Sequence, residues 1–134
     1  MSTPALQPKL LPILLIEDEP AVMSYVQTVL ERRGYRVVGS KSGVEGLAKL
    51  ESGEFLGVVS DMRTPGGVDG ADVYAWIAAN RPELVSRLVF ITGDVASEET
   101  VAILQRTAVP CVEKPFRVQQ FISVIEQTMG KPCE

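Results

Sequence analysis

Apolar residues in this chain follow two rhythms that alternate along its length. Residues 10–16 (LLPILLI), 56–60 (LGVVS) and 88–91 (LVFI) are continuous apolar runs. Runs of this length, rich in branched side chains, fit strands buried on both faces of a parallel sheet. Pro12 then belongs near a strand start, because proline cannot donate to a ladder. Residues 36–39 (RVVG) and 111–113 (CVE) are shorter candidates that suit positions nearer the sheet edges. Between these runs the period becomes helical. Val22, Tyr25, Val26, Val29 and Leu30 form one stripe, with Pro20 in the first turn and Gly34 as the stop. Val44, Leu47, Ala48 and Leu50 predict a second helix ending near Gly53. Val73, Trp76 and Ile77 predict a third, ended by Arg81-Pro82. Ser97-Glu98-Glu99 opens a fourth, with a capping hydroxyl and acids on the positive helix end. Val118, Phe121, Ile122, Ile125 and Met129 stripe a fifth that stops at Gly130.

Strand and helix alternate five times. That order predicts an α/β domain with a parallel sheet covered by helices on both faces. Five strands fit the flavodoxin-like doubly wound order 2-1-3-4-5. A length of 134 residues suits one such domain. Residues 1–9 read as an arm before it, residues 10–130 as the domain, and residues 131–134 as a tail.

Composition narrows the chemistry. The charge is 13 − 17 = −4, so direct nucleic-acid binding, which needs basic stripes, is not expected. Histidine is absent. That excludes His-based triads, imidazole-ligated metals and a phosphohistidine on this chain. The two cysteines, Cys111 and Cys133, make no disulfide framework and point to a reducing, cytoplasmic setting. No apolar run approaches the roughly 20 residues of a membrane span, so no membrane association is expected.

In open α/β sheets ligands bind beyond the carboxyl ends of the strands. Those ends read Glu17-Asp18-Glu19, Ser60-Asp61, Thr92-Gly93-Asp94 and Glu113-Lys114-Pro115. If the strands are neighbours, Glu17, Asp18, Asp61, Thr92 and Lys114 meet on one rim. Carboxylates packed together repel unless a positive charge joins them. A hard, oxygen-seeking divalent cation such as Mg²⁺ answers that need. A carboxylate beside a metal, a lysine and a hydroxyl suits a transient phosphoryl group, held as an aspartyl phosphate.

These residues, with Pro65, Asp69-Gly70 and Lys114-Pro115-Phe116, make the chain resemble the receiver domain of bacterial two-component response regulators over residues 10–130. The resemblance implies that Asp61 accepts a phosphoryl group from a partner's phosphohistidine. That partner is a sensor histidine kinase or a phosphotransfer protein. It implies Asp18, Asp61 and the Arg63 carbonyl as Mg²⁺ ligands, with Glu17 acting through water. Thr92 and Lys114 would contact the phosphoryl group. The face of the fourth helix, fifth strand and fifth helix would then meet an output partner or a second copy. The domain would be no independent enzyme, though it assists its own phosphorylation and slow dephosphorylation. It would be either a stand-alone regulator or a receiver from a hybrid histidine kinase; a phosphorylation-independent binding module is the weaker reading.

Some positions depart from the family's pattern. Cys111 stands at the switch position where an aromatic or histidine is usual. Thr64 replaces a common Met, and the stretch from Asp61 to Asp69-Gly70 is one residue longer than usual. Arg63 and Asp94, two residues beyond Asp61 and Thr92, are expected to pair across the site and modulate the lifetime of the aspartyl phosphate. Two other classes fit less well. Phosphatases of the haloacid-dehalogenase type need Asp-x-Asp after the first strand, where this chain has Glu17-Asp18-Glu19. Flavin or nucleotide binders need a Gly/Ser/Thr-rich loop there.

Overall fold

The computed structural model describes residues 11–63 and 67–132. The expectations for the 1–9 arm, for Thr64 and Pro65, and for Cys133 lie outside the described residues.

Five strands, β1 (Ile13–Ile16), β2 (Val37–Ser40), β3 (Gly57–Asp61), β4 (Leu88–Thr92) and β5 (Cys111–Glu113), form one sheet. Its order is β2-β1-β3-β4-β5 and every pairing is parallel. The helices are α1 (Pro20–Arg32), α2 (Gly43–Ser52), α3 (Gly70–Asn80), α4 (Glu98–Thr107) and α5 (Val118–Met129). The two short strands lie at the edges, as their length foretold. Pro12 sits just before β1 and offers only its carbonyl, which accepts the Leu56 N–H at 2.8 Å.

Alternation along each strand divides the core into two layers. Ile13, Leu15, Val59, Val89 and Ile91 face a cluster completed by Val26 and Leu30 of α1 and Phe121 and Ile125 of α5. Leu14, Ile16, Val58, Leu88 and Phe90 face the other, with Leu50 of α2 and Val73 and Ile77 of α3. Central strands buried on both faces are continuous apolar runs for that reason. Four stripe residues do not join the core: Tyr25 is 44%, Val44 55% and Val118 45% exposed, and Ala48 also faces outward. In α2 it is Gly43, Gly46 and Leu50 that turn inward. A Cβ on Gly46 would lie 2.5 Å from Ile16 Cδ1, so the glycine lets α2 lie close against β1.

Local signals set the ends of the helices. Pro20 occupies the first turn of α1, and Gly34 follows it at φ +106°. Ser42 and Ser97 cap α2 and α4 through their hydroxyls. Asp69 and Asp72 form a reciprocal capping box on α3. Pro82–Arg87, read only as the end of α3, continues as a 3₁₀ segment. Arg81 holds this corner: its guanidinium donates to the carbonyls of Leu50 (2.9 Å) and Gly53 (3.0 Å), and to the carboxylates of Glu54 and Glu83. Arg81→Ala strips two carbonyls of their donor, and a loss of about 1–3 kcal/mol is expected in urea unfolding. Arg81→Lys should recover only part of it, because an ammonium lacks the fork.

Candidate functional site

The carboxyl ends of β1, β3, β4 and β5 form one rim because these strands are neighbours in parallel register. Ile16 lies opposite Ser60, Asp61 opposite Ile91, and Thr92 opposite Glu113. The chain therefore delivers Glu17, Asp61, Thr92 and Lys114 to adjacent places. Their main chain stays within the ladder's reach: Glu17 N–H donates to the Ser40 carbonyl at 3.0 Å and Lys114 N–H to the Thr92 carbonyl at 2.7 Å.

Lys114 is the centre of the cluster. Its Nζ lies 3.1 Å from Glu17 Oε1, 3.1 Å from Asp61 Oδ2 and 3.5 Å from Glu19 Oε1. Burial works to lower the pKa of this ammonium, but the Asp61 and Glu17 carboxylates outweigh it and hold the value above its usual range. Asp61 is buried, and its other oxygen, Oδ1, accepts the Arg63 N–H at 3.2 Å. Glu17 is only 1% exposed; Glu19 N–H donates to its Oε2 at 3.1 Å. Burial and the neighbouring Asp61 charge push Glu17 above the ordinary glutamate range, and the Glu19 N–H and Lys114 oppose them. Asp18 is exposed at the lip.

Glu17, Asp18 and Asp61 each present a carboxylate oxygen, all within 4.8 Å of one another. An all-oxygen set with no thiol or imidazole suits a hard divalent cation such as Mg²⁺ and fits softer metals poorly. The cleft has a volume of about 490 Å³ and is lined by Asp18, Asp61, Arg63, Thr92, Asp94 and Lys114 among others. Thr92 is buried, and its Oγ1 accepts the Asp94 N–H at 3.2 Å.

The raised pKa of Glu17 has a consequence for stability. A carboxyl whose folded pKa lies above its unfolded value favours folding when protonated, and that contribution is lost as pH rises through the folded pKa. Ionised Glu17 therefore costs stability at neutral pH. Glu17→Gln is expected to raise the melting temperature by a few degrees at pH 7. The gain should vanish as pH falls below the unperturbed value of 4.5. The same variant should bind divalent cations more weakly, as isothermal titration will show.

One expected contact is absent among the described residues. Arg63 and Asp94 do not pair. The Arg63 guanidinium lies 3.7 Å from Glu99 on the first turn of α4. Asp94 turns to its own loop, where Oδ1 accepts the N–H groups of Ala96 (3.0 Å) and Ser97 (3.1 Å). A short carboxylate two residues ahead of free N–H groups closes such a turn more readily than it reaches across a cleft. Cys111 is half-buried opposite Phe90; burial first, then the Glu113 charge, pushes its thiol up to about 11. It therefore packs as a small apolar group and is a poor nucleophile.

Several contacts had no signal in the sequence. Glu19 reaches Lys114 and Glu99 reaches Arg63, both across tertiary space. Beside the rim, an apolar groove of about 540 Å³ runs between Ala21, Val22 and Tyr25 of α1 and Lys114-Pro115-Phe116. Phe116 stacks on Phe121 at 4.8 Å and meets Tyr25 at 5.9 Å, and the Lys114-Pro115 peptide is cis.

The chain is similar to known proteins in sequence and in fold. A family model described as the response regulator receiver domain matches residues 13–126. The C4-dicarboxylate transport transcriptional regulatory protein DctD of Rhizobium meliloti is 34% identical over 82% of this chain and 23% of its own length. The sensor kinase CckA of Brucella abortus is 29% identical over 89% of this chain and 12% of its own length. The chain thus spans about a quarter or less of these curated relatives. A CheY-like receiver domain protein from Methanospirillum hungatei superposes with a TM-score of 0.80 at 25% identity, covering 90% of this chain and 94% of that one. The fold is also that of a sensor histidine kinase receiver domain from Pseudomonas aeruginosa, whose structure has a magnesium ion coordinated in its active site cleft. Its TM-score is 0.79 at 22% identity, with 90% of this chain and 98% of that one covered.

Proposed function

This chain belongs to the response regulator receiver domain family, and on that premise we propose that it is a phosphorylation-controlled switch whose acceptor is Asp61. The observation that carries the reading is Lys114 Nζ at 3.1 Å from both Asp61 and Glu17, at the mouth of a cleft where Asp18 adds a third carboxylate. A lysine so placed is ready to pair with charge added to Asp61.

In the proposed step an Asp61 carboxylate oxygen attacks the phosphorus of a partner's phosphohistidine. A P–O bond forms, the P–N bond breaks, and the imidazole nitrogen keeps the electron pair. The burial of Asp61 shields the acyl phosphate from bulk water. Lys114 and the Thr92 hydroxyl stand at the rim to hold phosphoryl oxygens. Asp18, Asp61 and the Arg63 carbonyl would hold Mg²⁺, with Glu17 acting through water. What the cation supplies when bound is neutralisation of carboxylate and phosphoryl charge. The groove between α1 and Phe116 suits an apolar helix of the phosphodonor, which would bring its phosphohistidine to the rim. Added charge at Asp61 would bias the α4, β5 and α5 face, where Val101 and Val118 are exposed, toward an output partner or a second copy. The similarity to a sensor kinase and to a transcriptional regulator, both far longer than this chain, supports a receiver attached to a larger protein, such as a kinase; a stand-alone regulator is the alternative.

Intact mass after incubation with Mg²⁺ and acetyl phosphate tests the reading. One added phosphoryl group, lost when EDTA is present, is expected. A chain that gains none, or gains it with the metal chelated, overturns the reading.

A further inference from the structure

The sheet has two outer edges, β2 and β5. Along β2, Ile13 N–H donates to the Arg36 carbonyl at 2.8 Å and Glu17 N–H to the Ser40 carbonyl at 3.0 Å. Residues 36, 38 and 40 therefore turn their main-chain groups toward β1, and those of Val37, Gly39 and Lys41 face away from the sheet. An outward row of this kind is a template for another strand. Here part of the row is already bonded by α2, the helix that follows. Lys49 Nζ donates to the Gly39 carbonyl at 2.5 Å. Lys41 N–H donates to Glu45 Oε1 at 2.6 Å. Glu45 and Lys49 are one helical turn apart and 4.0 Å from each other, so each steadies the other over the edge. Burial does not hold them there, since their side chains are 48% and 35% exposed.

We infer that Lys49 and Glu45 close the outer edge of β2 against a second copy of this chain. Two such edges brought together antiparallel are self-complementary. Val37 of one copy would exchange N–H···O=C bonds with Gly39 of the other, and the same pair would recur across the two-fold axis. That ladder needs both Gly39 carbonyls, and Lys49 holds each of them. Pairing would break two Lys49–Gly39 bonds to make ladder bonds at the same carbonyls, and it would crowd two lysines on one edge, so its net gain is small. With β2 closed, association is left to the α4, β5 and α5 face at the opposite edge. The inference concerns assembly and does not rest on Asp61 being the acceptor.

Sedimentation equilibrium over a range of concentrations, comparing wild type with Lys49→Met, is the experiment. Methionine keeps a helix-forming stem and cannot donate. It also makes this acidic chain more negative, which by itself opposes association. Lys49→Met is expected to self-associate about 10-fold more tightly than wild type, because each copy gains a ladder bond at Gly39. Lys49→Arg still donates and should match wild type. Lys49→Met combined with Val37→Pro should match it too, because proline removes an outward N–H and leaves the ladder to β1 intact. Circular dichroism checks that each variant is folded, and Lys49→Ala takes the place of a Lys49→Met chain that is not. A folded variant that associates no more than wild type overturns the inference. So does Lys49→Arg associating as Lys49→Met does, or added association that survives Val37→Pro, since the contact would then lie elsewhere on the chain.

Discussion

Asp61→Asn is expected to abolish phosphoryl uptake from acetyl phosphate, a loss of more than about 10³-fold in rate, read as the absence of any mass gain. The carboxamide keeps an oxygen to accept the Arg63 N–H at the position where Oδ1 lies 3.2 Å away. It loses the negative charge that pairs with Lys114 at 3.1 Å and the electron pair that forms the bond to phosphorus. Thermal unfolding serves as the control. Removing the Asp61 charge relieves one of the influences that raise Glu17, while Lys114 keeps Glu17 and Glu19 as partners. The variant should thus stay folded, with a melting temperature within a few degrees of wild type. Asp61→Glu retains the charge but displaces the carboxylate by one methylene, and should fail as well. A mass gain in the asparagine variant would transfer the acceptor role to Asp18 or Glu17 and sink the assignment of Asp61.

Phe90→Ala is expected to cost about 3–5 kcal/mol, the largest stability change foreseen for one side chain here. Phe90 is fully buried in β4, at the centre of the layer formed with Val58, Leu88, Val73 and Ile77. Its ring also lies under the start of α3, so close that a Cβ on Gly70 would be 3.0 Å from it. Neither neighbouring strand can move in to fill the space, because β4 is laddered to β3 on one side and β5 on the other. A cavity remains, and native stability is only about 5–15 kcal/mol. Urea unfolding should show a lower midpoint with an unchanged slope, and the melting temperature should fall by about 10–20 °C. Phe90→Leu should cost far less. A loss below about 1 kcal/mol for the alanine variant would mean that the layer collapses freely around the site.

Much of the fold was readable before any coordinates, because each element carries its own local physics. The apolar runs marked central strands, and Pro20, Gly34, Ser97 and Gly130 marked helix ends within a residue or so. The exceptions have a common cause. Val44 and Val118 satisfy helical spacing yet point to solvent, since the stripe that a helix buries is set by how it lies on the sheet. Gly43 and Gly46 turn inward instead, where only small residues allow close approach.

The site divides in the same way. Its residue types and their places at strand ends follow from order along the chain, because parallel strands bring their carboxyl ends to one rim. The partners do not. Arg63 was expected to meet Asp94 and meets Glu99; Lys114 gathers Glu19 as well as Glu17 and Asp61. Long, exposed side chains choose among several charges within reach, and that choice depends on loop path and distance in three dimensions. The amino-acid sequence by itself determined the α/β alternation and the acids, hydroxyl and lysine at the sheet's rim. Only the tertiary structure decided which charges face each other, because Coulomb and hydrogen-bond energies depend on separations that spacing along the chain does not contain.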